Sequence, residues 1–599
     1  MTPLPPLGPR DIEGVVAVRF DNVAHAQPHV EAIVTPDDVL TYETLAQRAD
    51  TVAAALGAHG LGPGSVVAVL DGRTAGSITG LLGCLRAGVI CVLQDGSHPV
   101  AHLASILDSA GAAAVVVDSA TRHLAAAARN RLVIDIDRLA PASVSPVVGH
   151  PDAPALICYT SGSTGRPKGI VHSNANLVHR ALVQSERLAF GPADRHSMLT
   201  TIATGAGVST VMRVLLSGGT LLACSPLTLG IDRVSHWLRD QRVTVFRATP
   251  TLFRSLISMP SIAPMLSEPR IVLLGGERVT AADLAACRAR FGAHCLFVNT
   301  YSTTETSNAT LLVADKDWVP AADDLPVGQA VDGVRFTVVG RIGEEVPPGT
   351  SGEIVVASRY VALGYWRDPE QTADAFEDIV NGERAYLTGD HGVLDHEGNL
   401  WFRGRADARV KVRGQRIELE AIERALSSHP GVRTACVTSS TAADGSVRLI
   451  AAVVPREGEM PTATALRAFL ADRLPAATIP GEYVRRDALP LTTSGKLDRR
   501  ALASEVESAA KSPPITPSGT ETELQIVAIW TEILGRPPAS LDEDFLVAGG
   551  DSLAAAKLLA RVAARWGIRI SFDMFFDRAT VSDLARAIDT AIEPPTAPT

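Results

Sequence analysis

Residues 159–169 read YTSGSTGRPKG, a run of Ser, Thr and Gly with one lysine, Lys168, directly behind the apolar stretch ALICY. Backbone N–H groups, hydroxyls and a single ammonium on a short loop are what a polyphosphate requires of a protein. The order is not GxxxxGK[ST], which needs the Lys immediately after the last Gly and a hydroxyl after the Lys. Here Gly165 is followed by Arg166, Pro167 and Lys168, then Gly169. The bland alternative is a flexible Gly/Ser linker; the apolar strand in front and the fixed Pro-Lys-Gly behind speak against it.

Outward from that loop, residues from about Leu40 to Ile170 alternate helix-like stretches (YETLAQRADTVAAALGAHG, GSITGLLGCLRAG) with short β-branched runs (SVVAVL, VICVL, AAAVVVD). This is the rhythm of strands and crossover helices in an α/β sheet, and it continues through GGTLLAC, VTVFRATP, RIVLLGGE and CLFVNTY. Around Gly404 the character changes to a helix (ELEAIERALSSH) and two strands (RTACVTSS, VRLIAAVVP), a small α+β unit ending near Ala503. The Ser- and Pro-rich ESAAKSPPITPSG then reads as an exposed linker, and Thr520 to Ala591 reads as helical throughout. No internal repeat is visible.

The 599 residues exceed what one hydrophobic core organises, so two or more globular units are expected. Apolar runs fall short of the ~18–20 residues that cross a bilayer, and MTPLPPLGPRD lacks the pattern of a secretory signal, which makes a cytoplasmic location the default and excludes a membrane role. The seven cysteines form no CxxC pair and read as buried thiols. With 55 basic and 65 acidic residues, a formal charge of −10, no general attraction to nucleic acid is implied.

Taken in order with LTYETLA, LRAGVICVLQD, YSTTET, GYWRDPEQTADAF, YLTGDHG, GRADARVKVRGQRIELEAIE, LPAATIP and SGKLDRR, the loop resembles the adenylate-forming superfamily, specifically the adenylation domains of nonribosomal peptide synthetases. The resemblance covers almost all of the chain. It implies a multidomain fold: a large N-terminal subdomain with α/β sheets (residues 1–405) and a small α+β C-terminal lid (406–505). A linker (506–517), an all-α four-helix carrier domain (518–591) and a tail (592–599) complete it. It further implies ATP bound between the two adenylation subdomains, with Lys496 of SGK as the catalytic lysine, Asp407 as the hinge and Glu305 of YSTTET as the Mg2+ ligand. Attack of a carboxylate on the α-phosphorus joins two anions and expels pyrophosphate, so cations aimed at the developing charge are needed. The candidate ATP contacts are Thr160, Ser161, Gly162, Ser163, Thr164, Gly165, Lys168, Gly276, Glu277, Tyr301, Thr304, Asp390 and Arg405. Tyr301 is expected against adenine and Asp390 at the ribose hydroxyls. The lid, with Gly414 on its RVKVRGQR face, is expected to rotate about Asp407 between two half-reactions. His172 is read as structural.

LVAGGDSLAAAKLLARVAARWG, residues 546–567, resembles the signature of acyl and peptidyl carrier proteins, with Ser552 as the attachment site of 4′-phosphopantetheine. An ordinary Asp-Ser helix cap is compatible with the same residues, since Asp551 and Ser552 begin a helix in the family as well. The order adenylation-then-carrier reads as a loading or stand-alone module, with no condensation domain before it and no thioesterase after it. Its partners would be a carboxylic acid, a phosphopantetheinyl transferase, and a downstream condensation, ketosynthase or tailoring enzyme. A coenzyme A ligase, and a carrier scaffold with an inactive adenylation domain, are the rival readings; the fused carrier opposes the first, and intact Lys496, Asp390 and Glu305 oppose the second.

In amino-acid-activating relatives an Asp ahead of the helix matching VMRVLLSGGTL (Val211–Leu221) pairs with the substrate ammonium. The corresponding residue in ATGAGVST, residues 203–210, is Gly205, or Ala203 with a two-residue shift; neither is acidic. The further pocket positions are Ala206, Ser209, Arg247, Leu273, Gly275, Thr300, Asn308 and Ala309. A buried ammonium without a carboxylate is costly, and Arg247 would repel it while attracting a carboxylate or carbonyl oxygen. Arg247 could instead pair with a neighbouring acid or turn to solvent. The expected substrate is a keto, hydroxy, aryl or dicarboxylic acid, the alternative being an amino acid bound unconventionally.

Overall fold

The computed structural model describes residues 4–160, 167–257, 269–292, 294–340, 343–379, 382–405, 409–412, 415–441, 447–456, 461–487, 489, 502 and, with short gaps, 519–592. It divides into two compact units, one built chiefly from residues up to Ile417 and the other from Glu418 onward. The linker 506–517 and residues 593–599 of the tail lie outside the described residues.

In the first unit, VVAVLD (Val66–Asp71) and ICVLQD (Ile90–Asp95) are strands buried at every residue and paired in parallel. Strands covered on both faces need no polar alternation, which is why they read as unbroken apolar runs. The helix Ala75–Ala87 crosses between them; Thr74 caps its start by accepting the Ser77 N–H, and Gly88 at φ 68° ends it. These strands lie in a seven-stranded sheet that also holds Pro154–Thr160 and Lys168–Ser173. The latter two pair antiparallel, Tyr159 opposite Gly169 and Thr160 opposite Lys168. The phosphate-type loop therefore tips a hairpin; its residues 161–166, including Ser161 to Gly165, lie outside the described residues.

A nine-stranded sheet carries, side by side and parallel, Arg195–Met198, Val245–Ala248, Ile271–Gly275 and Leu296–Thr300. Val245, Ile271, Leu273 and Val298 pack in one cluster with Val183, Leu188 and Phe190, whereas Phe246 lies against Phe253 and Phe291. The two-residue period of a strand puts Arg247 on the Val245 side. A third, five-stranded antiparallel sheet is built on Ser351–Ser358 and Arg384–Leu394, with Leu400–Arg405 alongside the latter.

The helix expected at Val211 begins earlier, spanning Gly205–Ser217, so most of ATGAGVST forms its first turns instead of a segment in front of it. Thr204 makes that start by accepting the Gly207 N–H at 3.0 Å, and the Ser209 and Thr210 hydroxyls donate back to the carbonyls of Gly205 and Ala206. A Cβ on Gly207 would fall 2.0 Å from the Thr201 carbonyl oxygen, so only glycine lets the chain approach this closely. The turn before the helix is held by the other sheet: Asp71 accepts the Thr201 hydroxyl at 2.6 Å and the Ile202 N–H at 2.8 Å.

The second unit contains a three-stranded sheet, Val432–Thr441, Val447–Pro455 and Glu482–Arg485, with helices Leu419–Ser427 and Ala463–Ala471. Its C-terminal part is helical, with Glu521–Leu534, Ser552–Trp566 and Val581–Ile592 among the described residues. Trp530 stands edge-on to Phe545 at 4.8 Å, Phe545 meets Phe575 at 5.5 Å, and Ile526, Leu558, Val562 and Ile588 complete that core. A Cβ on Gly550 would lie 2.3 Å from the Phe545 ring, which accounts for a glycine just ahead of Ser552. Among the described residues no helix is long and apolar enough to cross a membrane.

Candidate functional site

Tyr301 follows the strand Leu296–Thr300, and its hydroxyl donates to Asp390 Oδ2 at 2.6 Å. Asp390 is fully buried in Arg384–Leu394, its N–H donates to Thr388 Oγ1, and its register partner is Arg405, the last residue of the adjoining strand. The YSTTET turn continues from Tyr301. Glu305 is buried there: its Oε1 accepts from the Tyr365 hydroxyl at 3.3 Å and its carbonyl accepts the Ala362 N–H at 2.8 Å. The Lys168 ammonium lies 4.9 Å from the centre of the Tyr365 ring, a cation–π contact. Lys168, Tyr365 and Glu305 thus form one chain of contacts from the hairpin base to the turn.

A buried carboxylate next to a lysine-bearing loop fits a hard divalent cation that takes its remaining oxygens from phosphate and water. Among the described residues no group of three or more His, Cys, Asp and Glu side chains could enclose a metal ion. Gly276 adopts φ 86°, and a Cβ on Gly275 would meet Thr300 Cγ2 at 2.7 Å, so both positions call for glycine. Glu277 is engaged locally: its Oε2 accepts the N–H and hydroxyl of Thr251 at 2.9 and 2.7 Å, at the start of helix Pro250–Ile257. Lys496, Asp407 and Gly414 lie outside the described residues; Ser552 is the first residue of its helix.

The positions expected to line a substrate pocket are linked in pairs. Gly205 faces Thr304, where a Cβ would sit at an ordinary 3.5 Å. Arg247 is opposite Leu273 in register, and Gly275 opposite Thr300. Thr300 donates to the Thr310 carbonyl, Ala309 donates its N–H to the Tyr301 carbonyl, and the Asn308 side chain donates to the Arg180 carbonyl. Ser209 is buried, its hydroxyl spent on Gly205. Arg247 is half-buried, and its backbone bonds to Ser197 Oγ at both N–H and carbonyl. Among the described residues its guanidinium has no carboxylate and no hydrogen-bond acceptor, so the salt bridge that would make it unremarkable is absent. Burial lowers its pKa to about 10, which leaves it charged at neutral pH.

Sequence reasoning missed Arg213, four residues after Ser209 on the same helix and 1% exposed. It donates to Gln184 Oε1 and lies 5.3 Å from the Phe190 ring centre; its Nε and Nη2 have no partner among the described residues. Burial and the charge of Arg247 lower its pKa to about 9. The available signal was a single charge inside the apolar run VMRVLL. His172, by contrast, is fully buried, its Nδ1 3.0 Å from Arg180 Nη2; burial holds it well below its ordinary pKa, and its role is structural.

Residues 20–366 match the family model described as AMP-binding enzyme, residues 421–496 the AMP-binding enzyme C-terminal domain, and residues 525–588 the phosphopantetheine attachment site. A dimodular nonribosomal peptide synthase of Bacillus subtilis (strain 168) is 31% identical over 96% of this chain, which spans 24% of that protein. Tyrocidine synthase 3 of Brevibacillus parabrevis is 30% identical over 94% of this chain, which spans 9% of it. Among solved structures, holo-PA1221, an NRPS protein containing adenylation and PCP domains bound to a vinylsulfonamide inhibitor, superimposes with a TM-score of 0.81 at 26% identity, covering 96% of this chain and 97% of that one. The amide bond synthetase McbA from Marinactinospora thermotolerans gives a TM-score of 0.74 at 26% identity, over 82% of this chain and 99% of its own.

Proposed function

The chain belongs to the AMP-binding enzyme family and joins an adenylation domain to a phosphopantetheine carrier domain, and from that premise we propose that it activates a carboxylic acid lacking a conventional α-amino group. The acid attacks the α-phosphorus of ATP, forming acyl-AMP and releasing pyrophosphate, and the acyl group is then passed to the carrier for use by a downstream enzyme of nonribosomal peptide or hybrid biosynthesis. When attached to Ser552, 4′-phosphopantetheine supplies the thiol that accepts it.

The observation that carries the substrate reading is the wall at residues 205–209, which offers no acid to an ammonium, together with Arg247, which no acid neutralises among the described residues. In a half-buried setting an ammonium beside an unpaired guanidinium is repelled on desolvation, at a cost of several kcal/mol. Glu305 is assigned to Mg2+, which would offset phosphate charge; Lys168 and the hairpin loop to the phosphates; Tyr301 and Asp390 to the nucleoside; and Lys496 to the charge that develops at the α-phosphate.

The test is ATP–pyrophosphate exchange across a panel of carboxylic acids, with intact-mass analysis of the phosphopantetheinylated protein. Lys496→Ala is expected to abolish exchange, about 100-fold or more by the usual effect of removing a transition-state cation. Ser552→Ala should leave exchange unchanged and eliminate the acyl mass shift. Equal loss in both assays for both variants contradicts the division of labour, and strong exchange with ordinary L-α-amino acids alone refutes the substrate reading.

A further inference from the structure

Arg213 and Arg247 form a pair that the assigned machinery does not explain. Gly205, Ser209 and Arg213 fall at intervals of four on one line of the helix Gly205–Ser217, so Arg213 continues the face that begins with the pocket wall. Arg247 projects from the strand Val245–Ala248 on the side of Val245 and Leu273, whose cluster includes Phe190, the ring on which Arg213 lies. The two charges are near enough for Arg247 to depress the basicity of Arg213.

The chain supplies no counter-anion there among the described residues. Asp194, just ahead of the strand Arg195–Met198, is already bound in a two-pronged pair by Arg270 at 2.8 and 2.7 Å and accepts the Thr244 hydroxyl at 3.0 Å. Gln184 offers Arg213 one neutral oxygen. His196, also on this side and in edge contact with Phe190, is buried, and burial with the charges of Arg213 and Arg270 keeps it neutral. Leaving a buried guanidinium such as that of Arg213 without an anion costs several kcal/mol, the half-buried Arg247 less, and a carboxylate, which takes two parallel N–H bonds from the planar fork, relieves this better than a hydroxyl or carbonyl.

We propose that the acid accepted by this pocket carries a second carboxylate, held by Arg247, with Arg213 behind it as a positioning residue whose charge deepens the field. This rests on the pocket and the adenylation reading given above. One carboxylate reacts at the nucleotide; the other stays ionised and forms no covalent bond. An acidic amino acid is disfavoured by its ammonium, since residues 205, 206 and 209 are Gly, Ala and Ser. A simple monoacid leaves the cations uncompensated.

The experiment compares succinate, glutarate and 2-oxoglutarate with butanoate, pentanoate and L-glutamate on the full chain, in pyrophosphate exchange and, without ATP, in thermal unfolding. The expected result is a kcat/KM for the best diacid about 100-fold above its matched monoacid, an advantage lost in Arg247→Met and Arg247→Gln, whose cooperative ligand-free unfolding and far-UV circular dichroism show that they fold. Arg213→Met should raise the diacid KM about tenfold with kcat held, an outcome that a purely structural role would not give. The diacid should raise Tm in the wild type and not in the Arg247 variants. A monoacid or L-amino acid preferred by the wild type, or a diacid preference that survives Arg247→Met, overturns the inference and leaves adenylation standing. A diacid-specific Tm shift with no exchange for any acid upholds the inference and refutes adenylation; neither shift nor exchange refutes both.

Discussion

Gly205 and Gly207 stand two residues apart under opposite constraints. A Cβ at Gly207 meets the Thr201 carbonyl oxygen at 2.0 Å, whereas at Gly205 the nearest atoms, those of Thr304, are 3.5 Å away. Gly207→Ala is therefore expected to lower stability by about 3 kcal/mol, and Gly205→Ala to change it by less than about 1 kcal/mol, as measured by urea unfolding of the full chain. The comparison bears on the substrate reading, because a side chain can begin at position 205 without displacing its neighbours, which it cannot do at 207. Sequence alone makes Arg247 conspicuous, since a cation inside TVFRATP interrupts an apolar strand. It does not reveal that Arg213 lies near Arg247, because the two are 34 residues apart and are brought together by a helix and a strand that both meet Phe190. Nor does it reveal that Tyr301 and Asp390 are hydrogen-bonded to each other, two motif residues that sequence assigns separately to adenine and ribose.

The elements legible in the sequence are those whose burial is uniform. Val66–Asp71 and Ile90–Asp95 are covered on both faces, so composition identifies them without any periodicity. The start of the helix Gly205–Ser217 is different. Glycine is a poor helix former, and GAGVST has the look of a loop until Thr204 is seen to cap Gly207 and two hydroxyls to bond back within the first turns. Because the start depends on that cap, Thr204→Ala should destabilise the first unit by about 1 kcal/mol in urea titration, and Thr204→Ser by much less. The hairpin of Pro154–Thr160 and Lys168–Ser173 was half legible: the entering strand is apolar, while the returning one, KGIVHS, reveals itself only through its register with the first.

At the scale of the whole molecule, order along the chain was legible because motifs in sequence need no tertiary information. The titration of the core is a property that only the fold shows. His172, His179 and His196 are buried; burial lowers all three, His179 to about 4 and the other two well below the usual 6.5. Their surroundings add little relief: Arg180 beside His172 and His179, Arg213 and Arg270 beside His196, and the Asp332 carbonyl on His179 Nε2 at 2.9 Å. Below the unfolded pKa of about 6.5 the unfolded chain binds protons that the folded chain refuses, so their contribution is complete above that pH and is lost as pH falls toward the folded values. Each histidine should steepen the loss by about 1.4 kcal/mol per pH unit, visible as a urea midpoint that is flat from pH 8 to 7 and drops between pH 6.5 and 5. Asp71 has a consequence of another kind. It anchors the Thr201–Ile202 turn from a strand of the other sheet, so the place where the helix Gly205–Ser217 begins is fixed by groups outside that helix. Gly205 and Ala206 ride on that foundation without a side-chain hydrogen bond of their own, so if they line the proposed pocket, a lineage, or an engineer, can exchange them without rebuilding the scaffold.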